Sequence, residues 1–174
     1  RAGVLVKGAN FLESLANTRT VVFDKTGTLT KGSFEVSAVH HSNMEHSKLL
    51  EYAALAESSS SHPISISLKE AYGKTLDRSR VSDIEEISGC GVLAKIDAMS
   101  VAVGNSELMK RIGVEYIDCH EIGTIVHIAV NGAYEGHIVI NDMVKSSSAE
   151  AIKNLRLSGV KRSIMLTGDL QKVA

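Results

Sequence analysis

Cysteine is scarce in this sequence, and no long apolar run occurs. The two cysteines, Cys90 and Cys119, cannot form a disulfide framework, and no Cys-x-x-Cys pair indicates a zinc site, so a reducing, cytosolic setting fits best. No apolar run approaches the roughly 18 residues of a membrane span. The first residues, "RAGVLVKGANF", are too short and too interrupted for a signal peptide. We therefore expect the chain itself to be soluble.

Charge of one sign is also not in excess. The 174 residues include 19 Lys and Arg against 20 Asp and Glu, which gives a formal net charge of -1. No general basic field therefore favours nucleic acid or anionic lipid, and any anionic substrate must be held by local groups. The 44% apolar content is enough to supply a hydrophobic core, which argues against a disordered chain.

The hydrophobic periodicity predicts two kinds of structure. Both ends show a strand followed by a helix: "TVVF" from Thr20 and "SIML" from Ser163 are buried-strand patterns, and "SSSAEAIKNLRLSG" is a helix. The middle has two helices, one from Ser47 to about Ser58 and one ending at Gly73, then short strands and an Asn131-Gly132 hairpin. We predict an α/β domain of residues 1–37 and 139–174, interrupted by an inserted domain of residues 38–138.

The segment "VVFDKTGTLTKG" brings an apolar strand directly to Asp24. Ligands of open α/β sheets bind beyond the carboxyl ends of strands, and Thr167 follows a second strand in the same way. Asp24 could cap its turn, bind a metal or act as a nucleophile. Lys25 and the hydroxyls and N–H groups of 26–28 are suited to phosphoryl oxygens, so we interpret Asp24 as a nucleophile that forms an aspartyl phosphate.

The seven residues "DKTGTLT", Asp24 to Thr30, resemble the phosphorylation signature of the P-type ATPases, cation pumps of the haloacid-dehalogenase superfamily. "TGD" at 167–169 resembles the next family motif, and "DMVK" at 142–145 resembles the segment ahead of it. The resemblance implies an α/β fold: an incomplete haloacid-dehalogenase-like, Rossmann-like phosphorylation domain. Its insert would be an α+β nucleotide-binding domain built on an antiparallel sheet flanked by helices.

The resemblance also implies roles for the residues of these motifs. ATP would transfer its γ-phosphate to Asp24, with Lys25, Thr26, Thr167 and Asp169 completing the catalytic set available in this chain. Mg²⁺ would be bound by the Asp24 carboxylate and the backbone carbonyl of Thr26. Phosphatases of the superfamily usually carry an acid/base Asp where Thr26 stands, so we expect a longer-lived phosphoenzyme, as a pump requires.

The inserted segment contains no Gly-Lys-Ser/Thr phosphate loop, and its nucleotide-binding candidates are of another kind. They are Glu57, His62, Pro63, Gly89, Gly91 and Asn105. A carboxylate can accept from an exocyclic amine, imidazole can stack on a purine, and glycines allow close approach of a ligand. Singly, His62 reads more readily as a helix start and Asn105 as a helix cap. As a set they resemble the adenine pocket of the heavy-metal-transporting subfamily, and no phenylalanine lies in the insert.

Two motifs expected after "TGD" in this family are absent. They are a lysine that neutralises the phosphoryl charge and a Gly-Asp-Gly-x-Asn-Asp segment; Lys172 follows too closely to be that lysine. We therefore read the chain as an excised part of a pump that binds ATP but turns it over little or not at all. Its partners would be the pump's membrane helices and actuator domain, at the cytoplasmic face of the membrane.

The transported ion would be bound outside this chain. The flanks "LANTRTVVFDKTGTLTKG" and "GVKRSIMLTGD" look more like zinc, cadmium and lead exporters than copper pumps. Two other functions stay open. One is a stand-alone phosphatase of the same superfamily, against which Thr26 argues; the other is a non-enzymatic metal-binding regulatory module built on His40, His41 and His46.

Overall fold

The computed structural model describes residues 5–167, which divide into two compact units. The first unit comprises residues 5–32 and 144–167, and the second comprises residues 33–143. The sequence-based boundaries at 37/38 and 138/139 both fall inside the second unit. Two strands, Thr30–His40 and Ala133–Val144, continue through those points.

The order of elements alternates between the two units. The helices are α1 (Ala9–Ala16), α2 (His46–Ala56), α3 (Pro63–Tyr72), α4 (Ser106–Arg111) and α5 (Ser148–Leu157). The strands are β1 (Thr20–Asp24), β2 (Thr30–His40), β3 (Val81–Ile87), β4 (Gly91–Ile96), β5 (Met99–Gly104), β6 (Thr124–Val130), β7 (Ala133–Val144) and β8 (Arg162–Leu166).

The first unit is built on one parallel strand pair. β1 and β8 run side by side, with Asp24 opposite Leu166 in the register. A parallel pair needs a crossover connection, and here the second unit and α5 supply it. Since Thr167 follows Leu166 directly, the carboxyl ends of both strands bring Asp24 and Thr167 to the same edge of the pair, as the sequence predicts.

The second unit is a six-stranded sheet in the order β2-β7-β6-β5-β4-β3. Pairing from β3 to β7 is antiparallel, and the β6–β7 hairpin turns at Asn131 and Gly132, whose φ angles of 50° and 78° are those of a type I′ turn. α2 and α3 bury one face of the sheet over Leu49, Leu55, Ile96 and Ile128, and α4 packs on the other face through Leu108 and Met109. The predicted antiparallel sheet with flanking helices is confirmed.

Two local features differ from the sequence-based predictions. α1 was not predicted, because all eight of its residues are exposed and its apolar positions pack on no buried surface. α2 begins at His46 rather than at a Ser47 cap; Ser47 lies inside the helix and its hydroxyl donates to Glu45 Oε1 at 2.7 Å. Among residues 5–167, no helix combines the length and the apolar character needed to cross a bilayer.

Candidate functional site

Asp24 is the last residue of β1, and its side chain is exposed where the strand gives way to a turn. The turn, residues 25–29, is a wide loop rather than a regular helix, because Thr26 (φ -72°, ψ 125°) and Gly27 (φ 76°, ψ -14°) leave helical space. Those angles define a type II turn with Gly27 at the position that requires a positive φ. The glycine of "DKTGTLT" therefore serves the backbone conformation that directs the chain away from Asp24.

Thr30 closes this turn from inside. It is 3% exposed; its hydroxyl donates to the carbonyl of Lys25 at 3.1 Å and accepts the backbone N–H of Gly27, also at 3.1 Å. From the other chain segment of the same unit, Lys145 Nζ donates to the carbonyl of Gly27 at 2.6 Å, and Ser148 Oγ donates to that of Leu29 at 2.7 Å. The backbone after Asp24 is thus held by two segments more than a hundred residues apart in sequence.

The other predicted catalytic residues differ in their exposure and in their position relative to Asp24. Thr26 and Thr28 are exposed beside Asp24, while Lys25 as a whole is only 9% exposed. Thr167 lies at the end of β8 next to the Asp24 edge. Asp169 lies outside the described residues.

A cleft of about 290 Å³ opens in the second unit between the α2–α3 connection and strands β3 to β6. Five of the six predicted nucleotide-binding residues line it: Glu57, His62, Gly89, Gly91 and Asn105. These residues come from three separate stretches of sequence, so their arrival in one cleft is a property of the fold. Pro63, the sixth, does not line the cleft and is the first residue of α3.

His62 is the N-cap of α3. Its Nδ1 accepts the backbone N–H of Ile64 at 3.2 Å, and Pro63 at N1 has no N–H to satisfy. Because Nδ1 is an acceptor in this bond, the neutral ring carries its hydrogen on Nε2, which remains available as a donor. The helix-start interpretation and the ligand interpretation of His62 are thus compatible.

The two glycines of "GCG", Gly89 and Gly91, are required for different structural reasons. Gly89 adopts φ +71° in the turn closed by Cys90 N–H to Ile87 carbonyl, with open space around it. Gly91 is opposite Gly104 in the β4–β5 register, and a Cβ on Gly91 would lie 2.2 Å from the Val103 carbonyl oxygen. Gly91 is therefore required by the close approach of two strands, in addition to any ligand.

Asn105 joins this loop to α4. Its Oδ1 accepts the N–H groups of Glu107 and Leu108 at 3.1 and 3.2 Å, and its Nδ2 donates to the Gly89 carbonyl at 2.8 Å. Both ends of the amide are engaged within the protein. Asn105 thus fixes the glycine loop at the wall of the cleft, and its helix-cap reading is confirmed.

Sequence reasoning missed several residues of the cleft. Ser60, Ser65, Glu86 and Thr124 add polar groups, and Ile64 and Ile125 add apolar surface suited to a flat base. The serines lie in "SSSSHPIS", whose composition predicts only a polar loop. No signal in a single sequence separates the serines that line the cleft from those that face solvent.

Histidines gather elsewhere in the second unit. The rings of His40, His41 and His127 lie with centroids 5.5 to 5.7 Å from that of buried His137, and the Tyr134 hydroxyl lies 3.0 and 2.9 Å from Nδ1 of His127 and His137. Burial lowers the pKa of His137 to about 4 and also lowers that of His127. His46 begins α2 instead. In the part of the chain that the structure describes, no three His, Cys, Asp or Glu side chains are arranged to hold a metal ion.

Comparison with known proteins identifies the family. The model of the haloacid dehalogenase-like hydrolases matches residues 18–174. The chain belongs to this family. Within it, the haloacid dehalogenase-like chain is 47% identical over 99% of its length to a zinc-transporting ATPase of Synechocystis sp., and 47% identical over 97% to a cadmium, zinc and cobalt-transporting ATPase of Bacillus subtilis. It spans about a quarter of the length of each, 24%.

A solved structure agrees with these relatives. The haloacid dehalogenase-like chain matches a crystal structure of a zinc-transporting PIB-type ATPase in its E2.Pi state, with a TM-score of 0.79 and 29% identity. The match covers 99% of this chain and 29% of that one. The resemblance to heavy-metal P-type ATPases, and the fold that it implied, are therefore confirmed.

Proposed function

We propose that this chain is the ATP-binding and phosphorylated part of a heavy-metal cation-transporting P-type ATPase. The observation that carries the proposal is the convergence of Glu57, His62, Gly89, Gly91 and Asn105 on one cleft. The second unit would be the nucleotide-binding domain, and the first unit part of the phosphorylation domain. The rest of the pump, including its membrane helices and actuator domain, would be the partner of this chain at the cytoplasmic face of the membrane.

ATP would bind with its base in the cleft. The Glu57 carboxylate can accept from the exocyclic amine, the His62 ring can stack on the purine or donate from Nε2, and Ile64 and Ile125 give apolar contact. The open surface at Gly89 lets a ligand approach the backbone. These contacts would recognise the purine base and leave the phosphates of ATP outside the cleft, free for transfer of the γ-phosphate.

Phosphoryl transfer would occur at Asp24. An Asp24 carboxylate oxygen attacks the γ-phosphorus, the bond from that phosphorus to the β-γ bridging oxygen breaks, and ADP leaves. The hydroxyls of Thr26 and Thr28, on the turn held by Thr30 and Lys145, are the local donors for the phosphoryl oxygens, while the Gly27 N–H is already bonded to Thr30. Thr26 cannot act as the acid/base that hastens hydrolysis, so the acyl phosphate would persist.

Magnesium is the metal that this chemistry requires. The exposed Asp24 carboxylate and the Thr26 carbonyl are hard oxygen ligands of the kind that Mg²⁺ prefers, and Thr167 and Asp169 follow the neighbouring strand. Mg²⁺ would neutralise charge on the phosphates. Two oxygen ligands are fewer than its octahedral shell needs, so waters, phosphate oxygens and carboxylates outside this chain would supply the others.

Zinc or a similar soft divalent ion is the proposed cargo. Both relatives that are 47% identical carry zinc in their names, and one also carries cadmium and cobalt. These names support zinc or cadmium over copper. The ion itself would be bound by the membrane helices, outside this chain.

A stand-alone phosphatase of the same family is the second candidate. The family match alone is compatible with it. Thr26 in place of the acid/base Asp, and an inserted unit with a purine-sized cleft, favour the pump.

The proposal is tested in the longer protein that contains this chain. With Mg²⁺ and ATP labelled on the γ-phosphate, we expect an acid-stable, hydroxylamine-sensitive label that Asp24→Asn abolishes. Glu13→Gln, which changes an exposed carboxylate on α1, is the matched control and should keep the label. Labelling that survives Asp24→Asn would contradict the assignment of the nucleophile.

A further inference from the structure

The buried hydroxyl of Ser65 lies next to the Glu57 carboxylate. Ser65 is on the first turn of α3 and only 1% exposed, and its Oγ is 2.6 Å from Glu57 Oε2. A carboxylate only accepts, so Ser65 must be the donor, and the short distance is typical of a charge-assisted O–H to O⁻ bond. The carboxylate at the end of α2 is thereby tied to the start of α3.

Ser65 also connects to His62 through Ser60. The two hydroxyl oxygens lie 3.0 Å apart, and Ser60 Oγ accepts the backbone N–H of His62 at 3.2 Å. Since the single hydrogen of Ser65 goes to Glu57, Ser60 donates to Ser65. The chain of donors thus runs from the His62 N–H through both hydroxyls to Glu57 Oε2, and we call it the Ser60–Ser65 relay.

We propose that Ser65 is a positioning residue that sets purine recognition by holding Glu57 in the cleft. The relay occupies Oε2 and leaves Oε1, which has no hydrogen-bond partner within residues 5–167, as the oxygen that accepts the exocyclic amine of adenine. The inference rests on the proposed function, because it requires a purine nucleotide in this cleft. Ser65 acts through Glu57 and does not itself need to contact the base.

The rest of the connection is held without Ser65. Lys69 Nζ donates to the Ser60 carbonyl at 2.7 Å, and an Arg78 guanidinium nitrogen donates to the Ser58 carbonyl at 2.9 Å. Two backbone bonds, Glu57 N–H to the Ala53 carbonyl and Ser60 N–H to the Glu57 carbonyl, fix the end of α2. Removing the Ser65 hydroxyl therefore frees the Glu57 side chain while the loop backbone keeps its supports.

Ser67 provides a matched control on the same helix. It is 2% exposed, and its hydroxyl donates to the Ile64 carbonyl at 2.7 Å without lining the cleft. Ser65→Ala and Ser67→Ala make the same chemical change at two equally buried sites. Only the first removes a hydrogen bond to Glu57.

The experiment measures the affinity of the chain for ATP and for purine riboside triphosphate, which lacks the exocyclic amine. We expect Ser65→Ala to weaken ATP binding about tenfold, the range for a lost hydrogen bond to a charged group. Purine riboside triphosphate should bind within twofold of its original affinity, and Ser67→Ala should change neither. In a Glu57→Gln background, Ser65→Ala should have little further effect on ATP.

The outcomes separate two failures. If the unmodified chain binds ATP and Ser65→Ala leaves that binding unchanged, or weakens both nucleotides equally, Ser65 does not position Glu57 for the amine. If the unmodified chain does not bind ATP, the proposed function itself fails. A melting temperature of Ser65→Ala close to that of Ser67→Ala ensures that loss of folding is not mistaken for loss of recognition.

Discussion

At the scale of single residues, two buried polar side chains, Thr30 and His137, affect stability in ways that the sequence pattern does not predict. Thr30 is the last residue of "DKTGTLT", yet it is the residue of that motif with both hydrogen-bonding functions of its hydroxyl turned inward. His137 occurs in an ordinary strand, yet it is fully buried against three other imidazoles. Each leads to a measurable expectation.

Replacing Thr30 by Val keeps the shape but removes both hydrogen bonds inside the turn. We expect a loss of about 1–3 kcal/mol in the free energy of unfolding, because the Gly27 N–H and the Lys25 carbonyl lose a buried partner. Chemical denaturation measures this. Thr28→Val, at an exposed position of the same motif, is the control and should change stability by less than about 0.5 kcal/mol. Equal effects of the two variants would show that the hydroxyl of Thr30 does not brace the turn.

His137 makes stability depend on pH. Its pKa is about 4 in the folded chain against an ordinary value of 6.5, because burial and neighbouring His127, His41 and His40 disfavour its protonated form. The unfolded chain therefore binds the proton more readily, and the free energy of unfolding falls as the pH is lowered from 6.5 towards 4. The full effect is at most roughly 3 kcal/mol, from about 1.4 kcal/mol per pKa unit.

Denaturation curves at pH 7 and pH 5 test this. His137→Gln, which can still bond the Tyr134 hydroxyl, should flatten the difference between the two values. His46→Gln, at an exposed position, should keep it. A pH dependence that is the same in all three proteins would assign the titration to other groups.

At the scale of elements, the glycine loop shows how a ligand motif and a packing constraint coincide. Gly91 and Gly104 face each other across β4 and β5, and a Cβ on either would come within 2.2 Å of a backbone oxygen. Gly89, two residues away, also has a positive φ, 71° against 145° at Gly91, but it has no close neighbour. The strand pair and the wall of the cleft therefore depend on the second glycine more than on the first.

Substitution of the two glycines by alanine should separate these requirements. Gly89→Ala should cost about 1–2 kcal/mol, the strain of a left-handed backbone with a Cβ. Gly91→Ala should lower the free energy of unfolding by more, because β4 and β5 must also move apart. The same substitution should weaken nucleotide binding. Thermal unfolding of both variants gives the comparison. A Gly91 variant as stable as the Gly89 variant would contradict the close-approach argument.

Elements differ in how far a sequence predicts them. β1, α3 with its Gly73 stop and the Asn131–Gly132 hairpin follow from patterns that local physics enforces: a buried run, a helix end with positive φ, and a type I′ turn. α1 could not be predicted in the same way, because no buried face organises its apolar residues. The convergence of Glu57, Gly89 and Asn105 depends on the long-range register of the strands. The Ser60–Ser65 relay depends on side-chain rotamers. Neither can be predicted from local patterns in a single sequence.

At the scale of the whole molecule, the chain spans about a quarter of its ATPase relatives. Its 174 residues contain "DKTGTLT" and "TGD" but no Gly-Asp-Gly-x-Asn-Asp segment. The chain therefore contains the residues proposed to bind the nucleotide but lacks part of the set that completes phosphoryl transfer. We expect it to bind ATP without hydrolysing it efficiently.

Phosphate release from Mg-ATP measures that expectation. The 174-residue chain should release phosphate at a rate close to that of its Asp24→Asn variant, because the charge stabilisation from an additional lysine and a metal-binding aspartate is often worth several kcal/mol. The full-length protein is the positive control. Rapid hydrolysis by the 174-residue chain, abolished by Asp24→Asn, would show that its own residues suffice.

The most direct test of the account is a calorimetric titration of the chain with ATP, repeated with His62→Ala. The account predicts saturable one-to-one binding that the substitution weakens clearly, since the His62 ring contributes to the wall of the cleft and caps α3. Circular dichroism of the variant controls for folding of that helix. Absence of ATP binding, or binding that is indifferent to His62→Ala in a folded variant, would contradict the assignment of this cleft as the nucleotide site.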